Sequence, residues 1–215
     1  MIAKIFIIAF LVESIVLHEI AHGYVALLFG DRTAQRQGRI TLNPIPHIDP
    51  LWTIAVPIVA YFLSNGTFII GGAKPVPVDP RNYRRPIMGD ICVSGAGVAV
   101  NFLIAVIMIL LLNIVHVFSG SLIGSTAVYV LLHTALLNIV LAMFNLIPIP
   151  PLDGSHLFKY LLPFWLRNRY EMLGRTGAGF IILIVVINIP GLWKIFSTAF
   201  FAVRDFLLRN LILYY

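Results

Sequence analysis

His18 and His22 stand four residues apart, with Glu19 between them, in the run VLHEIAHGYVALLFG at residues 16–30. On a helix turning about 100° per residue the two imidazoles lie some 40° apart on one face, and Glu19 lies about 60° beyond His22. Both imidazoles can then reach one metal ion while the carboxylate approaches water beside it. This is the H-E-x-x-H pattern of two zinc ligands and a general base. The run is otherwise apolar enough to cross a membrane, where an ionisable side chain costs about 2.5–3.5 kcal/mol on insertion scales and marks a site. Backbone partners could satisfy two histidines, but they would not account for the cost of Glu19.

Catalytic zinc takes three protein ligands and keeps one position open, so a third ligand must come from elsewhere in the chain. His47, Asp49, Asp90, His116, His133, Asp153 and His156 are the candidates. Asp153 lies in NLIPIPPLDG (residues 145–154), which breaks the end of an apolar run. Non-helical backbone at membrane depth is tolerated where protein or a wet cavity surrounds it. Asp153 suits equally the N-cap of a helix starting near Ser155. His156, three residues further on, is its main rival as a ligand.

The elements that must position these groups are membrane segments. Of 215 residues, 60% are hydrophobic and 11% charged, with a mean hydropathy of +0.95; an ordinary soluble domain carries about 25% charged residues. The expected fold is an all-α polytopic membrane protein of about four to six membrane segments, forming one domain over residues 1–215. Its catalytic core is residues 1–156, with further membrane segments in 157–215. The net charge of +6 sits in loops between apolar runs, which points to anchors against anionic lipid rather than nucleic acid. Cys92 is the sole cysteine, so no disulfide forms within the chain. Residues 1–29 read as a retained helix rather than a cleaved signal, because the apolar stretch is too long and Gly30-Asp31 is a helix stop.

Residues 91–118 and 125–147 are further spans, and 177–189 and 191–203 are apolar runs separated by Pro190. Residues 51–63 are too short to span, carry Pro57 and meet the turn Ser64-Asn65-Gly66. If 51–72 crossed the membrane fully, Asp153 would emerge on the face opposite the His18/His22 end of the first helix. If 51–72 is a re-entrant hairpin, the basic stretches 31–49, 74–90 and 156–175 all fall on one side, as the positive-inside tendency predicts for the cytoplasm. The expectation is therefore a re-entrant 51–72, an outside N-terminus and a site nearer the cytoplasmic face of the cell membrane.

HEIAHG (residues 18–23) together with NLIPIPPLDG resembles the site-2 protease family of intramembrane zinc metalloproteases. GRITLNPIPHIDP (38–50) and GGAKPVPVDP (71–80) resemble the branch of that family without PDZ or CBS domains. The motifs run from residue 18 to 154. The resemblance implies one zinc per chain, held by His18, His22 and Asp153, with Glu19 as catalytic base and Asn145 near the substrate carbonyl or backbone. Where the family's small-residue stretch usually reads A-G-P, this chain has Ala96-Gly97-Val98.

The expected activity is hydrolysis of peptide bonds within or beside transmembrane helices of membrane proteins. The extended stretch KPVPV (74–78) could offer an edge to an unwound substrate strand, although its prolines equally suit a plain loop. The alternative activity is divalent-metal transport, which should bring paired broken helices or an internal repeat; the sequence has neither. Among the smaller signals, Gly95 and Gly97 read as close helix packing, and Glu13, roughly opposite the metal face, as a structural pairing. His133 is expected to bond a neighbouring helix, His116 to lie at an interface, and Asp49 to cap or to pair with an arginine.

Overall fold

The computed structural model describes residues 2–63, 71–116 and 122–213. With one glycine and no proline, Ile2–Leu28 forms a single long helix, α1. It stops at Gly30, whose φ of 109° suits a residue without a side chain. Gly30 N–H donates to Leu27 O (3.0 Å) and Asp31 N–H to Ala26 O (2.9 Å), so the helix's last carbonyls are satisfied. A single turn, α2 (Thr33–Arg36), follows, then a 3-10 turn at Ile45–His47. A π-helical turn at Pro50–Ala55 runs into α3 (Val56–Leu63). Asp49 starts this element, its Oδ1 accepting from Leu51 N–H at 2.8 Å, which realises the expected cap.

Residues 71–79 form neither helix nor strand, with Asp79 extended, and a 3-10 turn at Pro80–Asn82 leads to α4 (Pro86–His116), which opens on proline as a helix start favours. Then come α5 (Leu122–Asn145), the short α6 (Asp153–Phe158), α7 (Phe164–Arg175), α8 (Ala178–Ile187) and α9 (Pro190–Leu211). Among the described residues there is no strand. The protein is an all-α membrane protein: α1, α4 and α5 are each long and apolar enough to cross a bilayer. The pair α7 and α8, bent by 87°, makes a fourth span if counted as one.

The core is a three-helix unit of α1, α4 and α5, and its contacts give the relative directions. His22 meets Val93 and His18 meets Asn101, so α1 and α4 run antiparallel. Ser14 accepts from Asn138 Nδ2 at 2.9 Å in α5, and His18 and His22 meet Asp153 just beyond it, so α1 and α5 run in the same sense. The buried face of α4 carries Asp90, Ser94, Gly97, Asn101 and Ala105, mostly small or polar residues that let helices approach and bond within lipid. The end of α1 meets the start of α4, where Arg84 N–H donates to Phe29 O at 2.9 Å. The chain between them therefore leaves and returns on one face. The tip of the expected hairpin, residues 64–70, lies outside the described residues.

The segment 71–79 is tied down by side chains and loop backbone. Arg39 Nη2 donates to Lys74 O (2.8 Å), Lys74 N–H to His47 O (2.8 Å), Val76 N–H to Glu19 Oε2 (2.7 Å) and Asp79 N–H to Asp31 Oδ2 (2.7 Å). Asp31 is buried and also accepts from Thr33 N–H, the Thr33 hydroxyl and Asn82 Nδ2. Burial alone would raise its pKa, but the bonds from Thr33, Asp79 and Asn82 outweigh that and hold it below the usual value of 3.8. A carboxyl with a depressed folded pKa stabilises the fold fully above its unfolded value and loses that contribution as pH falls through the folded one. Asp31→Ala is thus expected to cost about 1.5–3 kcal/mol at neutral pH, the scale of hydrogen bonds to a charged group. The gap between variant and wild type should begin to narrow only below pH about 4; unfolding in mixed micelles across pH 2–7 measures it.

Candidate metal centre

His18 and His22 face α4 from the second half of α1, where the i, i+4 spacing puts their rings edge to face with centroids 4.6 Å apart. Their Nε2 atoms are 3.0 Å apart. Asp153 Oδ2 lies 3.2 Å from the first and 3.4 Å from the second. Among the described residues these three form the one cluster of histidine, cysteine and carboxylate donors arranged to hold a metal ion. Ligands at 2.0–2.1 Å from a tetrahedral zinc are separated by about 3.3 Å, so the observed triangle has the size such an ion requires. The buried Asp153 Oδ2 makes no hydrogen bond in this arrangement. An ideal Cβ at Gly97 would fall 2.6 Å from both Nε2 atoms. Glycine therefore leaves a cradle at the point where the donors converge, and the residues fit the ion.

Asp153 arrives there because Leu146–Pro151 cannot continue α5. The chain turns through the cis Pro150–Pro151 bond, and α6 restarts at Asp153. Gly154 packs on the backbone of Leu146, where any Cβ would collide with the carbonyl. The N-cap position falls on Leu152, and the Asp153 side chain caps nothing; of its two expected roles, it takes the place beside the histidines. Burial opposes ionisation of Asp153, but the His18 and His22 imidazoles outweigh it and hold the carboxyl well below the ordinary range.

Glu19 is half-buried beside this triangle, with Oε2 accepting from Val76 N–H. Asn145 is the last residue of α5 and donates one amide N–H to Leu141 O at 3.0 Å. The other candidates go elsewhere. His156 Nδ1 is 3.3 Å from Asp90 Oδ1, and Asp90 Oδ2 also receives Lys159 Nζ (2.6 Å) and Tyr160 OH (2.8 Å). This cluster fastens the stretch carrying Asp153 to the start of α4. The buried His47 bonds Thr41 O at 3.1 Å, and His116 ends α4.

Three smaller expectations are corrected. His133 bonds Tyr129 O at 2.8 Å within its own helix, and its ring lies tilted against that of Tyr129, because the i−4 carbonyl of a helix is always within reach of a side chain at i. Glu13 is exposed and has no hydrogen-bond or ion-pair partner among the described residues. Gly95 faces open space, whereas Gly97 is the glycine in close contact. Two groups escaped the sequence reading altogether: Asn101, with Nδ2 3.2 Å from His18 Nδ1, and the Val93 carbonyl, 2.7 Å from His22 Nδ1. Asn101 carried a signal, as an amide inside an apolar run one turn after Gly97. The carbonyl carried none.

The chain matches the model of peptidase family M50 over residues 112–187. It is 37% identical over 188 residues to YwhC of Bacillus subtilis, which bears a zinc metalloprotease name, covering 86% of this chain and 81% of that one. It is 29% identical to Rip2 of Mycolicibacterium smegmatis, similarly named, over 94% of this chain and 74% of the relative. It is 28% identical to zinc metalloprotease MJ0392 of Methanocaldococcus jannaschii over 74% of this chain and 34% of that longer protein. No solved structure matches the chain. The chain belongs to peptidase family M50, the site-2 protease family.

Because a methyl group at position 97 would occupy the cradle, Gly97→Ala is expected to lower zinc from near one ion per chain to well under half. Helix content should be unchanged. Metal analysis beside circular dichroism of the detergent-purified protein tests this.

Proposed function

We propose that the chain is an intramembrane zinc metalloendopeptidase that hydrolyses peptide bonds within or near transmembrane helices of membrane proteins, as in regulated intramembrane proteolysis. The observation that carries the reading is the convergence of His18 Nε2, His22 Nε2 and Asp153 Oδ2 within 3.4 Å of one another, beside Glu19. His18, His22 and Asp153 hold one zinc, which when bound supplies Lewis-acid chemistry that acidifies water and polarises the scissile carbonyl.

Glu19 acts as general base: it takes a proton from the attacking water and returns it to the leaving amine. Its Oε2 is occupied by Val76 N–H, which leaves Oε1 for that proton. Asn145 uses one amide N–H on Leu141 O and has a second available for the substrate carbonyl oxygen as negative charge develops there. A helical substrate must unwind locally to present its carbonyl. The whole chain acts as one catalytic domain, residues 1–156 forming the core and 157–215 adding membrane segments. The basic stretches flank the end of α1 and the start of α4, so the site lies nearer the cytoplasmic face of the cell membrane.

Glu19→Gln is expected to lower cleavage of a co-reconstituted transmembrane substrate by about 10²–10⁴-fold with zinc content unchanged, whereas Asp153→Ala should lose zinc itself. Zinc flux into proteoliposomes that survives Glu19→Gln, without any cleavage by wild type, would replace this reading with metal transport.

A further inference from the structure

A histidine that ligates a metal through Nε2 must carry its proton on Nδ1, so Nδ1 needs a hydrogen-bond acceptor. His22 has one in the Val93 carbonyl, which can only accept. His18 faces a different group. Its Nδ1 meets the amide of Asn101, a fully buried residue on α4, at 3.2 Å. In the arrangement observed the amide nitrogen points at the imidazole, while Asn101 Oδ1 is buried without a partner. A half-turn of the amide exchanges the two ends and offers the oxygen to an Nδ1–H.

We infer that Asn101 is a positioning residue that matches the tautomer of His18. As donor it pairs with the Nε2–H form, in which the charge of Asp153, its Oδ2 3.2 Å from Nε2, faces a protonated nitrogen. As acceptor it pairs with the Nδ1–H form and frees the Nε2 lone pair for metal. An amide serves both states, because it carries a donor and an acceptor at one site. A carbonyl such as that of Val93 serves only the second, and an apolar side chain serves neither. Gly97, one turn earlier on the same face, lets α4 approach closely enough for this contact: a Cβ there would meet His18 Cε1 at 2.5 Å.

The inference rests on the proposed metal centre, and zinc affinity tests the two separately. Chelator competition on the purified full chain compares wild type, His18→Ala, Asn101→Leu and Asn101→Asp. Leucine keeps the volume and removes the acceptor; aspartate keeps an acceptor only. Asn101→Leu is expected to weaken zinc binding by about 10–100-fold, the range for outer partners of ligating histidines, while Asn101→Asp stays within a few-fold of wild type or tightens. A folded Asn101→Leu protein that holds zinc like wild type, in a series where His18→Ala loses it, overturns the inference and leaves the metal centre standing. If the leucine variant does not fold, Asn101→Asp decides: retained affinity supports the role, and a loss as deep as that of His18→Ala overturns it. Wild type that binds no zinc, or His18→Ala that binds it normally, sinks the metal centre and the inference with it.

Discussion

An imidazole at membrane depth has two polar nitrogens and little or no water to satisfy them, so both must find partners in the protein. Most of the core follows from that requirement. The Nε2 atoms of His18 and His22 point at each other and at Asp153, and their Nδ1 atoms must be met from α4. That forces α4 to lie close against α1 at the height of the histidines, which explains a glycine at 97 and a main-chain carbonyl at 93 as neighbours. It also forces α5 to break, because the third donor must enter from the end of a span.

The loops answer the same demand with carboxylates. Asp31 gathers the end of α1, the segment 71–79 and the turn at Asn82, while Asp90 gathers His156, Lys159 and Tyr160. Each is a buried negative charge held by several donors, the arrangement in which burial is tolerable and removal of one partner is expensive. Lys159 has its pKa raised despite burial, because Asp90 and Glu171 outweigh the desolvation. These two clusters fix the elements that deliver the members of the donor triangle.

Much of this was legible in the sequence, and the illegible part has a physical cause. The i, i+4 histidines and the broken run NLIPIPPLDG announce themselves because residue type and spacing carry the chemistry. Hydropathy located the spans but began the second at 91, whereas α4 begins at Pro86; hydropathy marks the part that faces lipid, and a helix can extend beyond it. Asn101 signals only that some partner exists, and that partner lies 83 residues away on α1. Val93 O and Val76 N–H are backbone groups that every residue owns, so no pattern of residue types could point to them. The H-E-x-x-H spacing separates Glu19 from Glu13 as carboxylates in a span, but the amide donor that holds Glu19 could not be read from residue types.

That amide bears on the segment 71–79 as much as on the carboxylate. Pro75 and Pro77 have no N–H, and the amides of Lys74, Val76 and Asp79 are all consumed by His47, Glu19 and Asp31. A segment so engaged is poorly placed to pair through those amides with an unwound substrate strand unless a bond is released. The Val76 bond lies nearest the donor triangle. Gly23, one helical turn after Glu19, brings the segment down onto α1, since a Cβ there would sit 2.9 Å from Val76 Cγ1. On the proposed chemistry, Glu19 then has two tasks that share one carboxylate. One oxygen anchors the segment and the other is left for the proton of the attacking water, so a movement that freed Val76 N–H for substrate would also change the hydrogen bonding of the base. A substrate that paired along 74–78 would for that reason be physically coupled to the state of Glu19, whichever of them moved first.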